Sequence, residues 1–180
     1  MTEAEKAIAQ TRRWVADVVV GLNLCPFASR VVKQNTIRYQ VIDTDDIDTA
    51  LAAFEKECSV LDADDTLETT LLIFTNGFTR FEHYLDLVEE AETLIEDKDY
   101  EGIYQVASFH PDYCFAGSDD NDAANYTNRS IYPMLHLLRE ESIDRALQRY
   151  ADPESIPQRN IQFTRNKGIA YMKMLRDACL

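Results

Sequence analysis

Between Gln105 and Glu140 the chain reads QVASFHPDYCFAGSDDNDAANYTNRSIYPMLHLLRE, and this stretch concentrates the side chains able to do chemistry. It holds two of the three histidines, His110 and His136, together with Cys114 and an arginine, Arg129, set between Asn128 and Ser130. An imidazole titrates near neutrality and serves as base, acid or metal ligand. A guanidinium suits a carboxylate or phosphate, which it can grip with two parallel hydrogen bonds. The other thiol of interest is Cys25, in LCPFA. Pro26 fits the first position of a helical turn, which predicts Cys25 at the N-cap. Unsatisfied amides and the positive end of the helix dipole would lower its pKa there. The plainer reading is a buried cysteine acting as a small hydrophobe between Leu24 and Phe27.

These residues admit four readings. In the first, Cys25 is a nucleophile, His110 or His136 its base, and Asn128, Arg129 or backbone amides stabilise charge, as in a cysteine-dependent enzyme. In the second, Arg129 and Arg139 converge with Asn128, Tyr113 and His136 on a pocket beyond Phe109 and hold a small anionic metabolite without catalysis. A metal site would need His110, His136 and a cysteine or Asp112, a set with no diagnostic spacing, so neither metal nor cofactor is expected. The fourth is a protein-interaction module using the long aromatic loop. No nucleophile elbow, phosphate loop or zinc-hydrolase motif is present to favour the enzyme.

Periodicity predicts the elements that position these groups. Residues 3–22 read as an amphipathic helix along Ala4, Ile8, Thr11, Val15, Val18 and Leu22. Alternation predicts a strand at 36–42, and the continuous apolar run LLIF a central strand at 68–75, covered on both faces. A third strand is expected at 103–109. Helices fall between them at 45–61, capped by Asp43 or Thr44, and at 79–96, opened by a capping box at Thr79 and Glu82. Strand, helix, strand, helix, strand is the pattern of crossover units, so the fold class is α/β, with α+β as the alternative. A small sheet of three or more strands should carry helices packed on it.

His110 follows the third strand directly, and the end of such a strand is where ligands characteristically bind. The 22 residues from Pro111 to Tyr132 exceed the usual loop length. Their aromatics argue for a packed loop. After Pro133, MLHLLRE reads as a short helix that would set His136, Arg139 and Glu140 on one face. Ser142 is expected to cap another, and Gly168 to break a C-terminal helical segment.

The chain of 180 residues reads as one domain, residues 1–180, large enough to bury its own core. No apolar run approaches the roughly 18 residues of a membrane span. MTEAEKAIAQTRRW lacks a signal peptide's apolar core, so a cytoplasmic protein with reduced thiols is expected. The net charge is −14, which disfavours nucleic acid as a partner. Residues 1–125 hold 26 acidic against 9 basic side chains, while residues 126–180 hold 6 against 9, so the basic share lies beside the long loop. Nothing in the pattern bears on oligomeric state.

LCPFA at 24–28, FHPDYCFAG at 109–117, NYTNRSIYPMLHLLRE at 125–140 and IPQRN at 156–160 together resemble the family known as domain of unknown function 1415. The resemblance runs from about Thr11 to Gly168. It implies a bacterial cytoplasmic protein and no particular activity. Ile131 stands where the family pattern has proline in NRSPYP, and Cys114 occupies a variable slot of the FHP block.

Overall fold

The three segments with strand character pair where periodicity places them: β1 (Ile37–Ile42), β2 (Thr69–Phe74) and β3 (Tyr104–Phe109). The structure is a computed structural model and describes residues 1–180. A fourth strand, β4 (Met134–Arg139), lies between β2 and β3, giving the order β1-β2-β4-β3. β1 and β2 are parallel; β4 is antiparallel to both β2 and β3. The first three strands therefore run the same way, as two crossover units require, with β4 inserted against them.

β4 is a correction, because MLHLLRE reads as a helix. Met134, Leu135, Leu137 and Leu138 are all buried, since helices cover the sheet on both sides. A strand buried on both faces carries a continuous apolar run that periodicity cannot separate from a short buried helix.

The helices are α1 (Glu3–Trp14), α2 (Ala28–Gln34), α3 (Ile47–Ala63), α4 (Phe81–Asp97), α5 (Glu140–Leu147), α6 (Ile156–Lys167) and α7 (Ile169–Asp177). α1 continues through Val15–Val20 as a π-helix, a rare winding that recurs at functional sites. α3 is capped by Asp46, whose carboxylate accepts from the Thr49 amide, rather than by Asp43 or Thr44. α4 starts at Phe81 with no side-chain cap, so the box at Thr79 and Glu82 does not form. Ser142 lies inside the first turn of α5, and Gly168 separates α6 from α7 at φ 82°, as glycine permits.

Alternation along the strands divides the core in two. Leu71, Ile73, Met134 and Leu138 face Trp14, Val18 and Val31 from the N-terminal helices. Leu72, Phe74, Leu135 and Leu137 face Phe54 of α3 and Leu87 of α4. The arrangement is helix, sheet, helix. Arg38 ties β1 to α3 through a two-pronged bond to Glu57, which is 2% exposed. No helix is long and apolar enough to cross a membrane.

Candidate functional site

Beyond Phe109, at the end of β3, lies a cleft of about 780 Å³. Three segments wall it: Leu24–Pro26, the loop around Phe115–Asn128, and α6 with its preceding turn. Each is fixed by hydrogen bonds that the chain's own polar side chains supply.

The first wall follows a turn in which Asn23 takes a left-handed φ of 52°, and the Leu24 amide returns to the Val19 carbonyl at 2.9 Å. Asn160 of α6 donates from Nδ2 to the Leu24 carbonyl at 2.7 Å. Its Oδ1 accepts from Arg159 at 2.8 Å, and Arg159 also donates to the Asn23 carbonyl. Two residues of IPQRN thus hold the turn that presents Cys25. Cys25 is not the N-cap; α2 begins at Ala28 with Phe27 as its cap. The thiol is half-buried, and burial raises its pKa even though the amides of Ala28 and Phe27 act against that shift. Desolvation outweighs the amides, so the shift runs opposite to the lowered pKa that an N-cap position would give.

The second wall is a loop closed on itself. The His110 amide donates to the Asn128 carbonyl at 3.2 Å, and the Ser130 amide to the His110 carbonyl at 3.3 Å. Asn125, fully buried, accepts from the Phe115 amide at 3.1 Å and donates to the Asp119 carbonyl at 2.9 Å. Asn128 lines the cleft and donates to the Ser108 carbonyl at 3.0 Å. Tyr113 packs on Phe81 and Phe115. Arg129 donates to the carbonyls of Tyr113 and Asp120, both at 2.9 Å, and lies over the Tyr126 ring. Its guanidinium binds the loop itself.

The two histidines are placed apart. His110 is fully buried; its Nε2 is 2.9 Å from the Phe78 carbonyl and its Nδ1 accepts from the Asp112 amide at 3.0 Å. Both ring nitrogens are engaged, and the residue does not line the cleft. This corrects its reading as a free base, since the loop uses it as a brace. His136 sits in β4 opposite Leu71 and Ala107. Strand geometry sends it and Arg139 to opposite faces of the sheet, overturning the shared helical face. Arg139 pairs with Tyr104 while Met134 pairs with Phe109, so Arg139 stands at the far end of β4 from the cleft. There it donates to the carbonyls of Leu67 (3.0 Å), Asp64 (3.2 Å) and Leu61, closing the end of α3. Arg129 and Arg139 do not converge, and the anion pocket expected between them does not form. No group of three or more His, Cys, Asp or Glu side chains is placed to hold a metal ion.

The charged residues that line the cleft are Asp119, Asp122 and Arg165. Arg165 already makes two bonds to Asp122, at 3.0 and 2.6 Å, and with the Ala124 amide it holds that carboxyl well below the usual carboxylate range. The remaining lining is largely apolar, including Val19, Leu24, Phe109, Leu147 and Ile161.

Behind this cleft is a chamber of about 50 Å³, with Val19, Cys25 and Phe109 lining both. Trp14 and His136 also line the chamber. Thr69 gives its hydroxyl proton to the Leu137 carbonyl and lies 2.7 Å from His136 Nε2, so Nε2 carries the ring proton. Nδ1 is left as an acceptor without a protein partner. Trp14, 1% exposed, has an indole N–H with no hydrogen-bond partner.

Sequence reasoning missed Asn160, Asp122, Arg165 and Trp14 as contributors. IPQRN stood out as a block without a role, and the others carry no local signal. Compared with known proteins, the chain matches over residues 6–174 the model of a family described as Protein of unknown function (DUF1415). No curated protein and no solved structure matches it.

Proposed function

We propose, from the premise that the chain belongs to the DUF1415 family, that it binds a small uncharged or cationic organic molecule in the 780 Å³ cleft. One observation carries this reading. LCPFA, FHPDYCFAG, NYTNRSIYPMLHLLRE and IPQRN, far apart in the chain, each contribute lining residues to the same cleft: Cys25, Phe109, Asn128 and Asn160 are examples. The volume suits a metabolite-sized ligand, and apolar walls with a few fixed polar groups are the usual make-up of such sites. The anionic ligand expected from sequence gives way to this class. Two carboxylates face the cleft, and its one guanidinium is already paired. We assign the protein to a bacterial cytoplasm, as the family resemblance implies; its four unpaired cysteines would stay reduced there.

A cysteine-dependent enzyme is the second reading, favoured by the chamber that Cys25 and His136 both line. Burial raises the pKa of this thiol, so chemistry would follow where the ligand or His136 takes its proton.

The test is a melting scan against metabolites sorted by charge, on the wild type and on Ile161→Tyr, which crowds the cleft. A ligand at 100 times its Kd stabilises by about 2.7 kcal/mol. Neutral or cationic compounds should raise the Tm of the wild type and not of the variant. If anions alone act, or if both proteins respond alike, the proposal is rejected.

A further inference from the structure

We infer that the chamber behind Cys25 is an apolar subsite for a short alkyl group of about three or four carbons. This rests on the proposal that the cleft binds a small molecule, and it makes that molecule amphipathic. Its alkyl end enters the chamber while a neutral or cationic remainder stays in the cleft.

The chamber lies between the sheet and the N-terminal helices. Each strand gives it one side chain: Ile37 from β1, Leu71 from β2, Phe109 from β3 and His136 from β4. Its wall is apolar surface throughout, so the polar atoms of Trp14 and His136 turn away from it. A water there would find none of its usual hydrogen-bond partners. A carboxylate, ammonium or amide would give up its hydration without compensation. An alkyl group leaves water favourably and gains dispersion contacts with the lining. The volume of about 50 Å³ sets the size of that group. A water-sized probe occupies about 10–15 Å³ on a comparable measure, so about three or four carbons fit.

Two further observations tie the chamber to the cleft. Val19, Cys25 and Phe109 line both spaces, so the two meet across those side chains. Val15 and Val19 also belong to the π-helix Val15–Val20, a rare winding that recurs at functional sites. Ala28 has the smallest side chain in the lining, which makes it the position that sets the length accepted.

The test is a titration with primary alcohols, from methanol to hexanol, followed by methyl NMR. Ile37 and Leu71 line the chamber and not the cleft, whereas Leu147 and Ile161 line the cleft and not the chamber, so one spectrum reads both. The Ile37 and Leu71 methyls should shift saturably. Affinity should rise about fourfold with each added carbon as far as butanol, and no further beyond it. Acetamide should leave the same methyls unmoved. Ala28→Leu, which fills the chamber, should abolish the Ile37 and Leu71 shifts. Val31→Ala, which enlarges it, should carry the rise in affinity on to longer alcohols, and it serves where the leucine variant does not fold. Unmoved Ile37 and Leu71 methyls, an affinity independent of chain length, or equal shifts with acetamide overturn the subsite. The wild-type titration uses no metabolite, so its failure is distinct from a negative melting scan.

Discussion

His136 enters the sheet between Leu135 and Leu137, and its burial there pushes its pKa down to about 3. The folded protein then binds fewer protons at this ring than the unfolded chain does between pH 3 and the ordinary value near 6.5. Stability from this group is complete above pH 6.5 and is lost as pH falls toward 3. At pH 5 the loss is about 2 kcal/mol from this one ring, at about 1.4 kcal/mol per pH unit. Burial also lowers His110, which adds to the effect in the same direction. Replacing His136 by leucine removes its share, so the urea midpoint of His136→Leu should fall less between pH 7 and pH 5 than that of the wild type. Parallel pH profiles would show that His136 is not buried in its neutral form.

At the scale of elements, α6 acts on the cleft without supplying a reactive group. Asn160 fills the hydrogen-bonding capacity of the Leu24 carbonyl and is itself steadied by Arg159. Truncation to Asn160→Ala leaves that carbonyl buried and unpaired, at a cost of about 1–3 kcal/mol. The Leu24–Pro26 turn should loosen, and alkylation of Cys25 should quicken several-fold as its burial falls. Chemical denaturation and the rate of Cys25 modification, followed by peptide mass spectrometry, measure the two effects. A variant with normal stability and an unchanged thiol rate would remove α6 from the positioning of Cys25. Arg139 provides the contrast at the far end of the sheet, where its three carbonyl partners close α3 and nothing reaches the cleft.

Across the whole molecule the acidic surplus is the dominant field. A net charge of −14 opposes compaction through self-repulsion, and salt screens it. The Debye length shortens from about 30 Å at 0.01 M to about 10 Å at 0.1 M. Exposed pairs such as Lys98–Glu55 weaken in the same salt, but solvent screening leaves each of them little to contribute. Repulsion among the unpaired acids should win, so the Tm should rise by a few degrees between 10 and 150 mM sodium chloride, both concentrations taken from about the range of those Debye lengths. A Tm that falls with salt would mean that ion pairs outweigh the surplus.

Local pattern was enough for β1, β2 and β3, for the helices between them and for the break at Gly168, because alternation and helical spacing are written within a few turns of chain. It also marked 105–140 and Cys25 as a place where chemistry gathers, and both line the cleft. The family resemblance, read from four separated blocks, was legible too. Tertiary structure alone decided that MLHLLRE is a strand, since burial on both faces removes the periodic signal that separates strand from helix. With that choice His136 and Arg139 went to opposite faces, and His110 became a brace, because a histidine's role depends on which groups meet its two nitrogens. The meeting of Asn160 with Leu24, 136 positions apart, and of Trp14 with His136 across a chamber, depends on how the helices stack on the sheet. No local spacing encodes that stacking; it follows from burying two apolar faces at once.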